Sequence, residues 1–318
     1  MITHISHTDL DGYGCRAIIE TFHPDINFIN IDYYDIKKVL NEENLGDTLI
    51  ITDLNFSADE LQILLGMDKK ILYIDHHDYN EETQNVLGQL KEKNNTKIVW
   101  NKEWCATMLT YGVYKNRFKK LLDQDLVNNL KHFINLVDVY DMWRVEHKNW
   151  DKAFMLNDMF RYFGYDKAYL MLKENKFKIP DEWHTIYKNI LKERDDYFTN
   201  LKNNDRIIID EDNRIGLFIL DNAKFSSHIT FLYDLDHYIL FYPFGSLSIR
   251  HKINDEKFLK TFLRYFEKLG EKYNITSGGH LKAQGASLNN LSEEQRYEIV
   301  EKILKTIEKL KRMWNVFR

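Results

Sequence analysis

Asp75-His76-His77 directly follows the apolar run Ile71-Leu72-Tyr73-Ile74 and is the centre of a wider set of acids and histidines. His7, Asp9 and Asp11, within His-Thr-Asp-Leu-Asp-Gly, follow the apolar start of the chain. Asp53 follows Leu49-Ile50-Ile51-Thr52, and Asp138 closes Leu136-Val137-Asp138. Carboxylates packed closely repel one another unless cations neutralise them. Hard oxygen ligands mixed with imidazole suit manganese, with magnesium or cobalt as alternatives, and the lack of clustered cysteines argues against a structural zinc. A pair of such ions roughly 3.5–4 Å apart shares a bridging water, lowers its pKa and clamps an attacked phosphate. These residue types therefore point to metal-dependent hydrolysis of phosphate esters.

Three short apolar runs in the first 80 residues end in acids or histidines. That pattern predicts parallel strands whose C-terminal ends converge on one crevice, where open α/β sheets bind ligands. Strands are expected at 2–6, 27–31, 48–52, 70–74 and 96–100, with helices near 12–21, 57–65 and 103–117. His7, Asp9 and Asp11 would all point one way on a regular strand. On a strand-to-helix turn they can fan out around two ions, and Gly12 and Gly14 permit such a turn.

From 123 to about 201 the pattern is mainly helical, broken at Pro180, with Asp181 as a cap for the helix that follows. Beyond it, 206–209 and 215–220 read as strands, and 238–242 with 246–250 as a hairpin around Pro243-Phe244-Gly245. Ser292 and Gln295 have capping-box spacing and open a final amphipathic helix to about residue 314. Ser277-Gly278-Gly279-His280 offers a glycine loop with free backbone N–H groups and an imidazole, a combination that can cradle phosphate. The fold class is α/β. A parallel-sheet domain with helices on both faces is expected over 1–185, a helical linker over 186–205, and a smaller α/β domain over 206–318.

A chain of 318 residues accommodates two domains, and 44% apolar residues fit a globular protein. The net charge of −5 argues against a general nucleic-acid coat protein. It leaves room for a nucleotide substrate, because a metal pair adds about four positive charges inside the site. Cys15 and Cys105, the only cysteines, give no disulfide framework and fit a reducing cytoplasm. No run approaches the roughly 18 apolar residues of a membrane span, and no basic segment leads a long apolar stretch as in a secretory signal. No membrane partner is expected, and a homodimer is compatible with this reading.

These residues resemble the DHH phosphoesterase family, whose name-giving motif stands here as Asp75-His76-His77. The family's accompanying DHHA1 substrate domain carries a Gly-Gly-Gly-His motif, which stands here as Ser277-Gly278-Gly279-His280. The resemblance covers nearly the whole chain. It is strongest to the short-RNA exonuclease branch, the nano-RNases or oligoribonucleases, especially those opening with His-Xaa-Asp-Leu-Asp-Gly. By this resemblance His7 and Asp9 would bind a first metal and Asp11 a second, with Asp53 bridging both. His76 and Asp138 would complete the ligand set of the second metal; Asp138 is preferred to Asp141 because Leu136-Val137-Asp138 fits the pattern better, and Asp141 reads as a solvated or helix-packing acid. Asp75 would orient a histidine tautomer, and His77 would face the scissile phosphate as hydrogen-bond donor or proton source. Arg250 would grip a phosphate through its guanidinium fork, and Gly278, Gly279, His280 and Lys282 would complete the substrate side.

Two departures from the family pattern are Ser277 for its first glycine and Ala283-Gln284-Gly285 for its Ala-Ala-Gly. Ser277 is expected to preserve the loop, and Gln284 to alter packing or substrate fit. Trp104, Trp143, Phe225 and Phe244 are conceivable base-stacking platforms, although most aromatics in such a chain belong to the core. The implied activity is hydrolysis of short oligoribonucleotides to mononucleotides by a hydroxide activated by two metals. The alternatives are a linear or cyclic dinucleotide phosphodiesterase and a bisphosphonucleotide (pAp) phosphatase. A degenerate domain serving only as a scaffold is disfavoured because all six metal ligands are present.

Overall fold

The alternating apolar runs of the N-terminal part build one open sheet. The computed structural model describes residues 1–42, 44–121, 123–275, 277–280 and 283–315. It begins with β1 (Ile2–His7), α1 (Leu10–Phe22), β2 (Asn27–Ile31), α2 (Ile36–Leu40), β3 (Thr48–Thr52) and α3 (Ala58–Gly66). It continues with β4 (Lys70–Asp75), α4 (Glu81–Lys91), β5 (Thr96–Trp100) and α5 (Ala106–Phe118). The strands lie in the order β2-β1-β3-β4-β5, every neighbouring pair parallel. The chain leaves β1 towards one edge and returns to start β3 on the other side of it. Such a reversal opens a crevice at the C-terminal strand ends. His7 ends β1, Asp53 follows β3 and Asp75 ends β4, so three adjacent strands deliver their last residues to one place.

Both faces of this sheet are covered. Ile5, Leu49, Ile51, Ile71 and Tyr73 pack against Ile36, Leu61, Leu64, Val86 and Leu90 from α2, α3 and α4. Each such side chain contributes roughly 1.5–3 kcal/mol when fully buried. The alternate positions of β1 and β3 include the polar His4, Ser6 and Thr52, bonded to one another: His4 Nε2 and Ser6 Oγ each lie 2.8 Å from Thr52 Oγ1. On that side α1 packs against α5 and against α6 (Gln124–Asp141). The helices start where capping side chains satisfy their first N–H groups, including Asp9 for α1, the Ser57/Glu60 capping box for α3, and Asp123 for α6. The helix α4 carries no strong apolar signal and was not among the sequence expectations.

The expected helical stretch is α6, α7 (Trp150–Phe163), α8 (Tyr165–Glu174) and α9 (Asp181–Asn203), and Asp181 is the first residue of α9 itself. The chain divides into two compact units, Met1–Lys188 and Asn189–Arg318. The second unit holds β6 (Ile207–Asp210), β7 (Ile215–Ile219), α10 (Ile229–Leu232), β8 (His237–Tyr242), β9 (Ser246–His251) and α11 (Glu256–Tyr273). It ends with β10 (Ser277–His280), β11 (Ala283–Ser287) and α12 (Glu293–Asn315). Its sheet runs β10-β11-β9-β8-β7-β6, with β7 and β8 parallel and the other pairs antiparallel. Phe258, Phe262 and Phe266 of α11 and Ile299, Ile303 and Ile307 of α12 share its core with Ile239, Phe241, Leu247 and Ile249. The Ser292/Gln295 capping box forms as expected, at 3.0 and 3.3 Å.

One expectation is corrected here. Ser277-Gly278-Gly279-His280 is a strand rather than a loop, paired antiparallel with β11 so that Gly278 faces Gly285 and Gly279 faces Gln284. Side-chain-free glycines allow close strand approach, and the antiparallel ladder occupies backbone groups that a loop would have left free. Among the described residues no helix is long and apolar enough to cross a membrane.

Candidate metal-binding and catalytic site

The turn from β1 into α1 is set by close approach. A Cβ on Gly12 would overlap the carbonyl oxygen of His7, and one on Gly14 would overlap the Thr107 side chain. The tight turn fixes Asp9 as N-cap, accepting from Gly12 N–H at 2.9 Å, with His7 Nδ1 2.9 Å from its other oxygen. Burial opposes ionisation of Asp9, but the contacts to His7 and Gly12 outweigh it and lower its pKa.

Asp11 is fully buried at the N-terminus of α5. Its two oxygens accept from Ala106 N–H at 2.7 Å and Thr107 N–H at 2.8 Å, and Thr107 Oγ1 donates to its carbonyl at 2.7 Å. The positive end of a helix favours an anion there. Asp53 sits in the left-handed region, φ 56°, a conformation that aspartate tolerates better than most residues. Its N–H donates to Ile74 carbonyl at 3.0 Å, which turns the carboxylate into the crevice.

His76 stands among three carboxylates. Its Nε2 is 3.4 Å from Asp53 Oδ1, 3.5 Å from Asp141 Oδ2 and 3.7 Å from Asp11 Oδ2. His77 turns the other way: Nδ1 is 2.7 Å from Asp75 Oδ1, and Nε2 is 3.3 Å from the Tyr33 hydroxyl. Burial lowers the pKa of His77, but the bond to Asp75 outweighs it and raises the imidazole above its ordinary value. Tyr79 donates to Asp75 Oδ2 and lies 2.6 Å from the Tyr73 hydroxyl, which donates to Leu54 carbonyl at 2.7 Å.

Three overlapping groups have ligand atoms within 4.8 Å of one another: His7 with Asp9 and Asp53; Asp11 with His76 and Asp141; and Asp53 with Asp75, His76 and His77. The structure thus gathers His7, Asp9, Asp11, Asp53 and His76, with Asp75 and His77 beside them. It does not gather Asp138. Asp138 Oδ2 accepts from Arg144 Nε at 2.9 Å and Oδ1 from Cys105 N–H at 3.2 Å, so both oxygens are engaged elsewhere. Asp141, three residues further along α6, faces His76 and Asp11 instead. This geometry favours Asp141, the reverse of the preference drawn from the sequence. Positions three apart share a helix face, so spacing alone does not separate the two acids; their partners do, Arg144 and Cys105 N–H for Asp138, His76 for Asp141.

The cluster fits divalent cations on its own geometry. Asp53 Oδ2 and Asp141 Oδ2 are buried without a hydrogen-bond partner. Burial, then the neighbouring carboxylates Asp9, Asp11 and Asp141, push the pKa of Asp53 well above the usual carboxylate range; burial and Asp11, Asp9 and Asp138 do the same to Asp141. Crowded, unsatisfied oxygen donors with imidazoles are what a pair of hard cations would neutralise. Residues that the sequence reading missed include Tyr33, carried by a short turn with no distinguishing pattern, and Asp32, 3.9 Å from His7 Nε2. Asp32 follows the strand β2, so the same run-then-acid signal could have found it.

On the second unit, Arg250 lies in β9, half-buried, between Tyr238 and Ala283 in register. Gly278, Gly279 and His280 belong to β10, and Lys282 lies outside the described residues.

No family model matches the chain. Oligoribonuclease NrnB of Bacillus subtilis is 29% identical over 178 residues, 51% of this chain and 42% of that protein. A 3',5'-cyclic-nucleotide phosphodiesterase of Helicobacter pylori is 25% identical over 160 residues, 45% of this chain and 43% of that protein. The chain thus spans about two fifths of the length of these curated relatives. Among solved structures, the DHH domain of a member of the s1p family of ribosomal proteins matches with TM-score 0.67 at 14% identity, covering 97% of this chain and 85% of that one. RecJ of Thermus thermophilus in complex with Mn2+ matches with TM-score 0.59 at 13% identity, covering 98% and 52%. The pGpG-specific phosphodiesterase PggH of Vibrio cholerae matches with TM-score 0.55 at 14% identity, covering 98% and 99%. These likenesses show the fold: a parallel-sheet DHH domain followed by a second, smaller sheet domain.

Proposed function

We propose that this chain, a member of the DHH phosphoesterase family, is a divalent-metal-dependent phosphodiesterase that hydrolyses short oligoribonucleotides to mononucleotides. The observation that carries the reading is Asp53. It shares ligand distance with His7 and Asp9 on one side and with His76 on the other, and one of its buried oxygens has no partner. His7, Asp9 and Asp53 would hold one ion, and Asp11, Asp53, His76 and Asp141 a second, with manganese preferred over magnesium or cobalt. When bound, such ions neutralise the acids, lower the pKa of a water and draw charge from the attacked phosphate.

The chain's own groups do the rest. Asp11 and Asp9 are fixed by backbone N–H groups, so the site is ordered before substrate arrives. Asp75 holds His77 Nδ1, leaving Nε2 as the atom that gives a proton to the departing ribose oxygen. Asp138 acts at one remove: it anchors Arg144 and the start of α5, on which Asp11 depends. Residues 1–185 are the proposed catalytic domain and 206–318 the substrate domain, joined through 186–205. Arg250, with the β10 residues Gly278, Gly279 and His280 and with Lys282, is proposed to meet the far phosphate or base.

The relatives named as an oligoribonuclease and as a cyclic-nucleotide phosphodiesterase support small nucleotides as the substrate class. The second of these names also supports a specific rival, a dinucleotide or cyclic-nucleotide phosphodiesterase. A time course with labelled RNA di- to decamers, cyclic dinucleotides, a 3',5'-cyclic mononucleotide and a bisphosphonucleotide under Mn2+ decides. Mononucleotide release from the short RNAs as the fastest reaction is expected. Faster turnover of a cyclic substrate would transfer the assignment to the rival, and no hydrolysis of any would remove both.

A further inference from the structure

We infer that the loop between β5 and α5, with Trp100 and Trp104 at its two ends, is a nucleobase-stacking platform beside the acid–histidine cluster. The first unit would then read the base next to the phosphate it cleaves. This rests on the reading of the chain as a small-nucleotide phosphodiesterase.

The chain has six tryptophans. Trp150 and Trp183 are core residues, whereas Trp100, Trp104 and Trp143 are 38%, 42% and 41% exposed. An indole left in water forfeits a large part of its burial energy, and several together mark a binding surface more often than chance. Trp100 and Trp143 adjoin cluster residues, and Trp104 adjoins the Asp138 support beside them. Trp100 pairs in register with Asp75, and its Nε1–H donates to His77 carbonyl at 2.9 Å. Trp104 precedes Cys105, whose N–H bonds Asp138. Trp143 follows Asp141 by two residues and holds φ 50°, a left-handed conformation that bulky residues rarely adopt and that persists only where the surroundings enforce it. Across the crevice Tyr33 is also exposed, its ring centred 4.6 Å from that of His7.

The platform is preorganised and carries two cations, each held by an acid as well as a ring: Lys102 by Asp78 and Arg144 by Asp138. The Arg144 guanidinium lies 5.0 Å from the centre of the Trp104 ring, and Lys102, between the two indoles in sequence, lies 5.6 Å from that of Trp100. A ring already held by a cation loses little freedom when a second flat group stacks on it. Aromatic rings interleaved with cations suit a base joined to a phosphate, and they do not suit a purely apolar ligand. The occupant is therefore a nucleobase of the nucleotide substrate.

The test compares equilibrium binding of a non-hydrolysable methylene-bridged diribonucleotide with its abasic counterpart, under Mn2+, to the full chain and to Trp104→Ala, Trp104→Phe and Trp100→Phe. Among the described residues no hydrogen bond is made by the Trp104 indole, whose partner is the Arg144 guanidinium, so truncation there detaches no cluster residue; thermal melts confirm that each variant is folded. In the wild type the base should tighten binding roughly 5- to 150-fold, the range for stacking one base. In Trp104→Ala that ratio should collapse towards one, and Trp104→Phe should restore part of it. A wild-type ratio near one, or an unchanged ratio in both Trp104→Ala and Trp100→Phe, overturns the platform. Turnover is measured separately. If the wild type hydrolyses none of the short RNAs the functional reading falls, while the binding ratio still decides the platform.

Discussion

Asp138 and Asp141 lie one turn apart on α6, and replacing each by asparagine should have opposite consequences. In D138N the charge that Arg144 Nε pairs with at 2.9 Å is removed, while an amide oxygen remains for Cys105 N–H. A hydrogen bond to a charged group contributes roughly 1.5–3 kcal/mol. Arg144 is 35% exposed, so water recovers part of this, leaving about 1–2 kcal/mol. The unit has 188 residues, a size at which each kcal/mol moves Tm by roughly 2–4 °C. D138N should thus melt about 2–8 °C lower without metal. Asp141 has a buried oxygen with no partner and is pressed by neighbouring acids, so metal-free D141N should melt at or above the wild-type temperature. Adding Mn2+ to 100 times its Kd should stabilise by about 2.7 kcal/mol, raising Tm by roughly 5–11 °C. Wild type and D138N should both show that rise, and D141N should lose most of it together with turnover. Differential scanning fluorimetry of chelator-treated protein under a manganese titration reads both effects. A full metal-induced rise in D141N with none in D138N would reverse the roles of the two acids.

Gly14→Ala should overpack against Thr107, costing roughly 1–3 kcal/mol, and should weaken manganese binding because Thr107 holds Asp11; an unchanged melt and metal titration would show that α1 and α5 part without consequence. Burial lowers the pKa of His4 and His237 to about 3 and of His251 to about 4. The unfolded chain therefore takes up protons near pH 6.5 that the folded chain refuses, so stability is complete above that pH and falls as pH drops towards 4. At pH 5 the loss is about 2 kcal/mol per histidine, read by urea melts at pH 7 and 5; equal stability at both would mean that these imidazoles are not held neutral. Arg250→Ala should weaken use of a short oligonucleotide about tenfold or more, as expected for a lost charged contact, but should affect bis-p-nitrophenyl phosphate much less. Equal losses on both would remove Arg250 from substrate recognition.

The sheet of the first unit was legible because both of its signals are local. Apolar runs of four or five residues mark buried parallel strands, and an acid or histidine immediately after each run marks a strand end. All five strands fall within a residue of their expected limits, β1 and β4 each extending one residue to include His7 and Asp75. The cluster followed from the same pattern, since His7, Asp53 and Asp75 occupy neighbouring strand ends. Asp141 was harder because it shares a helix face with Asp138, and only tertiary partners, Arg144 beside Asp138 and His76 beside Asp141, tell the two apart. Tyr33 and Tyr79 reach the site from turns whose composition is ordinary. The helix α11 is legible too, since Phe258, Leu259, Phe262, Phe266 and Leu269 have helical spacing, although the expectations above do not include it. Ser277–His280 misled because two adjacent glycines suggest a turn, whereas pairing with β11 makes them part of a ladder.

The way each acid is held explains how a chain can keep this cluster folded. Asp9 is tied to the Gly12 N–H, Asp11 to two N–H groups at the start of α5, and Asp53 by its own left-handed backbone and the Asp53–Ile74 bond. None of these anchors is another carboxylate. The repulsion among the acids is therefore borne by backbone geometry and by a sheet and helix layers whose core lies elsewhere. Such a site would be set before any ion entered, unlike small metal domains that fold only around their ion. On the proposed function, cation affinity would come from relieving repulsion already built into the folded chain, so removing an unpartnered acid should stabilise the metal-free protein while removing its function. The same logic separates Asp138 from Asp141: an acid whose charge is already answered by Arg144 has little left to offer a cation, and one whose buried oxygen is unanswered has a great deal.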